Sequence, residues 1–129
     1  MATSMQVSLV SPDREIWSGE ATSIVAKTTE GEIGILANHE PVLAILSEGS
    51  VARIDTVGGE KVVAAVHGGF LSVDKNVVIL LAQVAELAAD IDVTRARAAL
   101  ERARNEQDDL AAAAALRAEA RLHAAGAMH

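Results

Sequence analysis

The chain has no cysteine and no tyrosine, a single tryptophan (Trp17), a single phenylalanine (Phe70) and two prolines. Without cysteine there is no disulfide framework, no thiolate zinc site and no cysteine nucleophile. With so few aromatics, the core has to be packed by Val, Ile, Leu and Ala. Stacking platforms for bases are also scarce, and the formal net charge is −7. An acidic, aromatic-poor chain lacks both phosphate attraction and base stacking, which argues against nucleic-acid binding. No apolar run approaches the ~20 residues of a membrane span. The N-terminal Met1–Gln6 lacks the charged and apolar regions of a signal peptide. Any membrane association is therefore expected through a partner.

Half of the 129 residues are hydrophobic, enough for one domain, or a small domain with an appendage. Charge divides the chain. Residues 1–90 hold five Lys/Arg against twelve Asp/Glu, whereas residues 91–129 hold six Arg, no Lys, and six acids. Pattern divides it at the same place. Before Glu86 the chain consists of short Val- and Ile-rich runs separated by Gly and Asp/Asn. Beyond Val93 there is no Pro, Val or Ile, and Ala and Arg dominate. A period-2 pattern thus gives way to a helical one across Glu86–Ala96.

Candidate strands are Gln6–Val10, Ile16-Trp17, Ala21–Thr28, Ile33–Asn38, Val42–Leu46, Ser50–Thr56, Lys61–Val66, Phe70–Val73 and Val77–Ala82. Ser18-Gly19, Glu30-Gly31, Gly58-Gly59, Gly68-Gly69 and Asp74-Lys75-Asn76 are read as breaks. About ten short strands with such turns predict a β-sandwich over residues 1–89. Residues 90–129 are expected to form a C-terminal α-helical hairpin. Asp92 is a fitting N-cap. Val93, Ala96, Leu100 and Ala103 fall on one stripe, with Arg95 and Arg102 opposite it. Asn105–Asp109 is the expected break, with Asp108 or Asp109 capping a second helix; one continuous helix is the alternative. Leu110, Leu116 and Leu122 project to three sides. The second helix is therefore expected to rest on propensity rather than on a buried face, and to detach easily. Gly126 is a suitable stop.

No catalytic site emerges. His67-Gly68-Gly69-Phe70 has the look of an oxyanion-hole loop, but no Gly-x-Ser-x-Gly elbow accompanies it, so a glycine pair at a close backbone approach is expected instead. The four histidines show no metal-ligand spacing, and no phosphate-binding or dinucleotide loop is present. Arg95, Arg102, Arg117 and Arg121 would make a fork-donor cluster suited to phosphate if the helices fold back on each other. The alternative is a solvated face with pairs such as Arg97–Glu101 and Arg102–Glu106.

Three motifs carry a resemblance. Gly31-Glu32-Ile33-Gly34-Ile35-Leu36-Ala37-Asn38-His39-Glu40-Pro41, Gly68-Gly69-Phe70-Leu71-Ser72-Val73 and Ile91-Asp92-x-x-Arg95-Ala96 follow one another as in the epsilon subunit of bacterial F-type ATP synthases, from Met5 to about Leu122. Ala37 stands where that family usually has Pro, and the segment between Arg102 and Arg117 is shorter than in its ATP-binding members. The resemblance implies the same sandwich and hairpin, and a non-catalytic rotor subunit in the central stalk. That subunit would couple the membrane c-ring to the gamma shaft on the cytoplasmic face of the bacterial membrane, as a peripheral component. It implies contact with gamma and the ring, and with the alpha/beta head when the hairpin extends to obstruct hydrolysis. By position, Glu32 and His39 would lie on loops facing the ring. No cofactor is required, but ATP is an expected regulatory ligand. Its matching residues are Glu86, Ile91, Asp92, Arg95, Ala96, Arg102, Arg117 and Arg121. The competing class is a free-standing β-sandwich carrier of a small ligand.

Overall fold

The computed structural model describes residues 3–106 and 109–127. Seven strands are found among them: β1 (Met5–Val10), β2 (Glu15–Thr28), β3 (Gly31–Leu36), β4 (Val42–Ile45), β5 (Ser50–Thr56), β6 (Lys61–Asp74) and β7 (Val77–Leu87). A 3₁₀ turn at Ala88–Asp90 leads into α1 (Val93–Arg104) and α2 (Asp109–Ala124). The architecture is the expected sandwich followed by two helices, but with seven strands rather than about ten. The difference comes from glycines read as breaks. Gly19 stays inside β2, paired with Val7, and leaves room for the Trp17 ring, which a methyl there would meet at 2.8 Å. Gly68 and Gly69 lie inside β6 with φ of 68° and 115°. A side chain on Gly69 would overlap the Leu81 carbonyl across the ladder. These glycines bend or thin a strand without ending it.

The bends let long strands serve both layers. β2 pairs with β1 through its first half, then with β3 and β5 after a register shift between Ala21 and Ser23. β6 pairs with β5 before its glycines and with β4 after them, while β7 runs along its length. β1 closes the circuit, antiparallel to β2 and parallel to β7. The interior is filled by alternating apolar positions such as Val7, Leu9, Ile24, Ile35, Ile54, Val66, Leu71 and Leu80. The β6–β7 turn places Lys75 and Asn76 at φ of 49° and 63°, the two-residue geometry that matches strand twist.

Asp92 caps α1 as expected, its Oδ1 accepting from the Arg95 N–H at 3.0 Å. α1 ends at Arg104 and α2 starts at Asp109, so the continuous-helix alternative does not hold; the expected Asp108 cap lies outside the described residues. At the far end, the Gly126 N–H donates to the His123 carbonyl and the Ala127 N–H to the Leu122 carbonyl. With Gly126 at φ 76°, this is the paired-bond glycine stop.

The second helix is not faceless. Ala118 and Leu122 pack with Ala96 and Leu100 of α1, while Ala120 and Ala124 pack on Ala65 of β6, beside Val51, Val63 and Ile91. α2 is wedged between α1 and the outer face of β5 and β6. Its burial is spread over alanines on two sides, whereas Leu110 and Leu116 remain exposed. Tracking leucines therefore misses the face. Leu122→Ala is expected to cost about 2–4 kcal/mol in hairpin stability, and Leu110→Ala less than ~0.5 kcal/mol. Hydrogen exchange of α2 amides in the two variants checks the contrast.

Candidate functional site

The junction that changes pattern in the sequence also builds a site. β7 delivers Glu86 at its C-terminal end, the 3₁₀ turn delivers Asp90, and two residues later Asp92 caps α1. Arg95, Ala96, Ala99 and Arg102 follow at helical spacing on one side of α1. α2 then returns beside α1 and adds Arg121. Glu86, Asp90, Asp92, Arg95, Ala96, Ala99, Arg102 and Arg121 line one cleft of about 400 Å³.

Six of the eight residues expected around a nucleotide therefore meet: Glu86, Asp92, Arg95, Ala96, Arg102 and Arg121. Ile91 does not line the cleft; it packs into the apolar contact under α2. Arg117, one turn before Arg121, points elsewhere, and its Nη1 donates to Glu48 Oε1 at 2.8 Å. Asp90 and Glu48 were not anticipated. Asp90 sits beside the Ile91-Asp92 motif and was within reach of the sequence. Glu48 lies 69 residues from its partner, a distance over which the sequence carries no pairing signal.

The cleft's charges are unequally free. Arg121 Nε donates to Glu86 Oε1 at 2.5 Å, and Asp92 is engaged as a cap. Among the described residues no carboxylate lies within ion-pair distance of Arg95 or Arg102; Arg97–Glu101 and Arg102–Glu106 do not close, and the helix–helix pair that forms is Arg104–Glu119, at 3.7 Å. Two guanidiniums are thus open to an anion, with a third held in reserve by Glu86.

Behind the Glu86–Arg121 pair lies His67 of β6, 2% exposed. Its Nε2 is 3.8 Å from Glu86 Oε1, too long for a hydrogen bond, and neither ring nitrogen has a partner. Burial pushes its pKa down from 6.5 to about 4, helped by the positive charges of Arg121 and Arg117 and opposed by Glu86 and Glu48. The ring is neutral at pH 7. Among the described residues no group of His, Asp and Glu is placed to hold a metal, and no helix is long and apolar enough to cross a membrane.

Comparison with known proteins decides the family. Residues 4–88 match the family described as "ATP synthase, Delta/Epsilon chain, beta-sandwich domain". An ATP synthase epsilon chain from Streptomyces avermitilis is 52% identical over 127 residues, covering 98% of this chain and 99% of the relative. The chain belongs to the ATP synthase epsilon family. An epsilon chain from Rhodococcus opacus is 52% identical over 109 residues, 84% of this chain and 89% of that one. Among solved structures, a chain of the Euglena gracilis mitochondrial ATP synthase, an assembly described as OSCP/F1/c-ring, superposes with a TM-score of 0.75 at 27% identity. It covers 98% of this chain and 80% of that one. Epsilon chains are non-catalytic subunits of the synthase, so the cleft is to be judged as a binding site.

Of the two residues expected on ring-facing loops, His39 lies on the β3–β4 loop, its Nδ1 2.7 Å from the Glu40 carbonyl oxygen. Glu32 lies within β3, opposite Lys27, and lines a second cleft with Arg53, Glu119 and His123. Glu32 thus lies in a strand and not on a loop, while His39 lies beyond the end of the same strand. The Glu86–Arg121 pair is expected to couple by ~1–2 kcal/mol, against less than ~0.5 kcal/mol for the more exposed Arg104–Glu119. Double-mutant cycles on hairpin stability, read by amide exchange, compare them directly.

Proposed function

We propose that this chain is the rotor subunit of an F-type ATP synthase, seated on the gamma shaft through the sandwich and carrying its hairpin as a regulatory arm. Family membership over nearly the whole length carries the proposal. The outer face of β4, β6 and β7 supports it. There Leu43, Ile45, Phe70, Ile79 and Leu81 are all exposed, and the strand register sets Ile45, Phe70 and Leu81 in one row and Leu43 and Ile79 in the next. A contiguous apolar face of this kind on a polar-rimmed domain fits a protein partner, and gamma is the partner this reading assigns to it. His39, on the loop beyond exposed Leu36, is the better placed of the two expected contacts to meet the membrane ring; association with the membrane then runs through the complex, on its cytoplasmic side. A free-standing ligand carrier has no use for such a face. In a pull-down with gamma, Phe70→Asp is expected to weaken binding at least tenfold while the sandwich melts normally. Unchanged co-purification would sink this docking face.

The second element of the proposal is that the cleft at the β7–α1 junction takes ATP. Arg95 and Arg102 offer open donors, and Asp90 supplies a carboxylate able to accept from an amino group. Arg121 would have to exchange Glu86 for a phosphate oxygen. Such a ligand favours the folded-down hairpin, because α1 and α2 contribute to the site together only in that pose. A charge-assisted contact is worth ~1.5–3 kcal/mol, so Arg95→Ala or Arg102→Ala should weaken ATP binding at least about tenfold. Arg117→Ala, outside the cleft, should change it less than ~2-fold. Calorimetric titration of the full chain tests the set, and equal affinities throughout would remove the arginines from the site.

A further inference from the structure

Among the described residues His67 is the only ionisable side chain that is buried. Its burial is the work of α2. Ala65 and His67 are two apart on β6 and so share its outer face, and Ala65 is covered by Ala120 and Ala124. The charged groups that face the ring come from three elements: Glu86 from β7, Glu48 from the β4–β5 turn, and Arg117 and Arg121 from α2. Both carboxylates are already engaged, Glu48 by Arg117 and Glu86 by Arg121. A proton on the docked ring would therefore meet two guanidiniums, and the two carboxylates that favour it are already held by those same guanidiniums. Lifting α2 removes both arginines, opens the ring to water and frees Glu86 and Glu48 to pair with it.

We propose that His67 is a proton-operated latch for the hairpin: α2 seats on the sandwich only over a neutral ring, and mild acid releases it. The inference rests on the reading of the hairpin as a mobile arm, and it adds a signal that acts without nucleotide.

The sign follows from linkage. Docked, the ring holds its proton only below about pH 4; released, it titrates near the ordinary 6.5. Between these values the released form binds more protons, so docking is strongest above pH 6.5 and weakens as pH falls towards 4. Between pH 7 and pH 5 the release constant should rise about twentyfold. Over that range free carboxylates stay mostly ionised, so the two arginine pairs are not yet lost. Docking also strips a ring whose nitrogens find no partner, which costs stability even in the neutral form. An apolar replacement should hold α2 down more firmly than His67 does.

The absence of native cysteine allows a clean test in the full chain. Dyes on Ala112→Cys and Glu60→Cys, both exposed, report the distance between α2 and the β5–β6 turn. The expected result is a release constant about twentyfold higher at pH 5 than at pH 7. His67→Gln should flatten that slope. His67→Leu should flatten it and shift the chain towards the docked form at every pH. Resonances of the His67 ring in the unlabelled parent should titrate well below 6.5. A parent slope kept by both variants would assign the effect to groups other than His67 and overturn the latch. So would a His67 ring that titrates at 6.5 in the docked chain. Release by low urea with no pH slope would overturn the latch alone. A hairpin that never separates before global unfolding would overturn both the latch and the mobile arm.

Discussion

The seating of α2 between α1 and the sandwich is the contact on which the cleft, two ion pairs and the buried His67 all depend. It has to be made at short range, because alanine offers little reach. Ala120 and Ala124 meet another small residue, Ala65. Gly49, at φ 72° in the β4–β5 turn, lies so close to the α2 backbone that a methyl on it would overlap the Leu116 carbonyl. Small residues on both sides bring the helix axis close enough for Arg117 and Arg121 to reach Glu48 and Glu86. The cleft exists because α2 carries Arg121 to the end of β7. His67 is buried because α2 lies over it. One packing event therefore builds the cleft, two ion pairs and a buried imidazole together.

That contact is broad but shallow. Each alanine adds little apolar area, and hydrophobic stabilisation scales with area, at roughly 25 cal/mol per Å². The two ion pairs are half-exposed and add modestly, as such pairs do. His67 subtracts, since its nitrogens lose water and gain no partner. Only Leu122 contributes a large buried side chain from α2. A helix held by many small terms and opposed by one unpaired polar group has the balance that the proposed release requires. The sandwich differs in kind. Its circuit is closed by β1, and its core runs through all seven strands. The leucine pattern suggested a detachable second helix for want of a buried face, whereas the packing shows a face made of alanines.

What the sequence makes legible follows from how local each signal is. The Asp92 cap, the Gly126 stop and the Lys75-Asn76 turn are set within a few residues, and each is where the residues place it. The alternation of β5 is equally local, with Ala52 and Ile54 inside and Arg53 and Asp55 outside. Strand number is less local, because a glycine in a strand and a glycine in a turn look alike until the partner strand is known. Gly69 depends on the Leu81 carbonyl, and Gly19 on the Trp17 ring. The α2 face is less local still, since alanine is apolar enough to be buried and small enough to be exposed without cost. The cleft was legible to the extent that it is built from one run, Glu86 to Arg102. Arg121 joined it through the fold-back, and Arg117 left it for Glu48.

The division of labour between those two arginines bears on regulation. They lie one turn apart on α2, yet Arg121 lines the cleft and also faces His67, while Arg117 faces His67 alone. A phosphate that drew Arg121 away from Glu86 would free a carboxylate 3.8 Å from His67 Nε2. That would favour the imidazolium in the docked pose and so weaken the penalty that acid imposes. On the proposed readings, anion in the cleft and proton on the ring would be coupled through one glutamate, the anion holding the hairpin down and making it more tolerant of acid. Thermodynamic reciprocity requires the converse as well: a proton on docked His67 would withdraw Glu86 from Arg121 and leave that arginine more available to a phosphate.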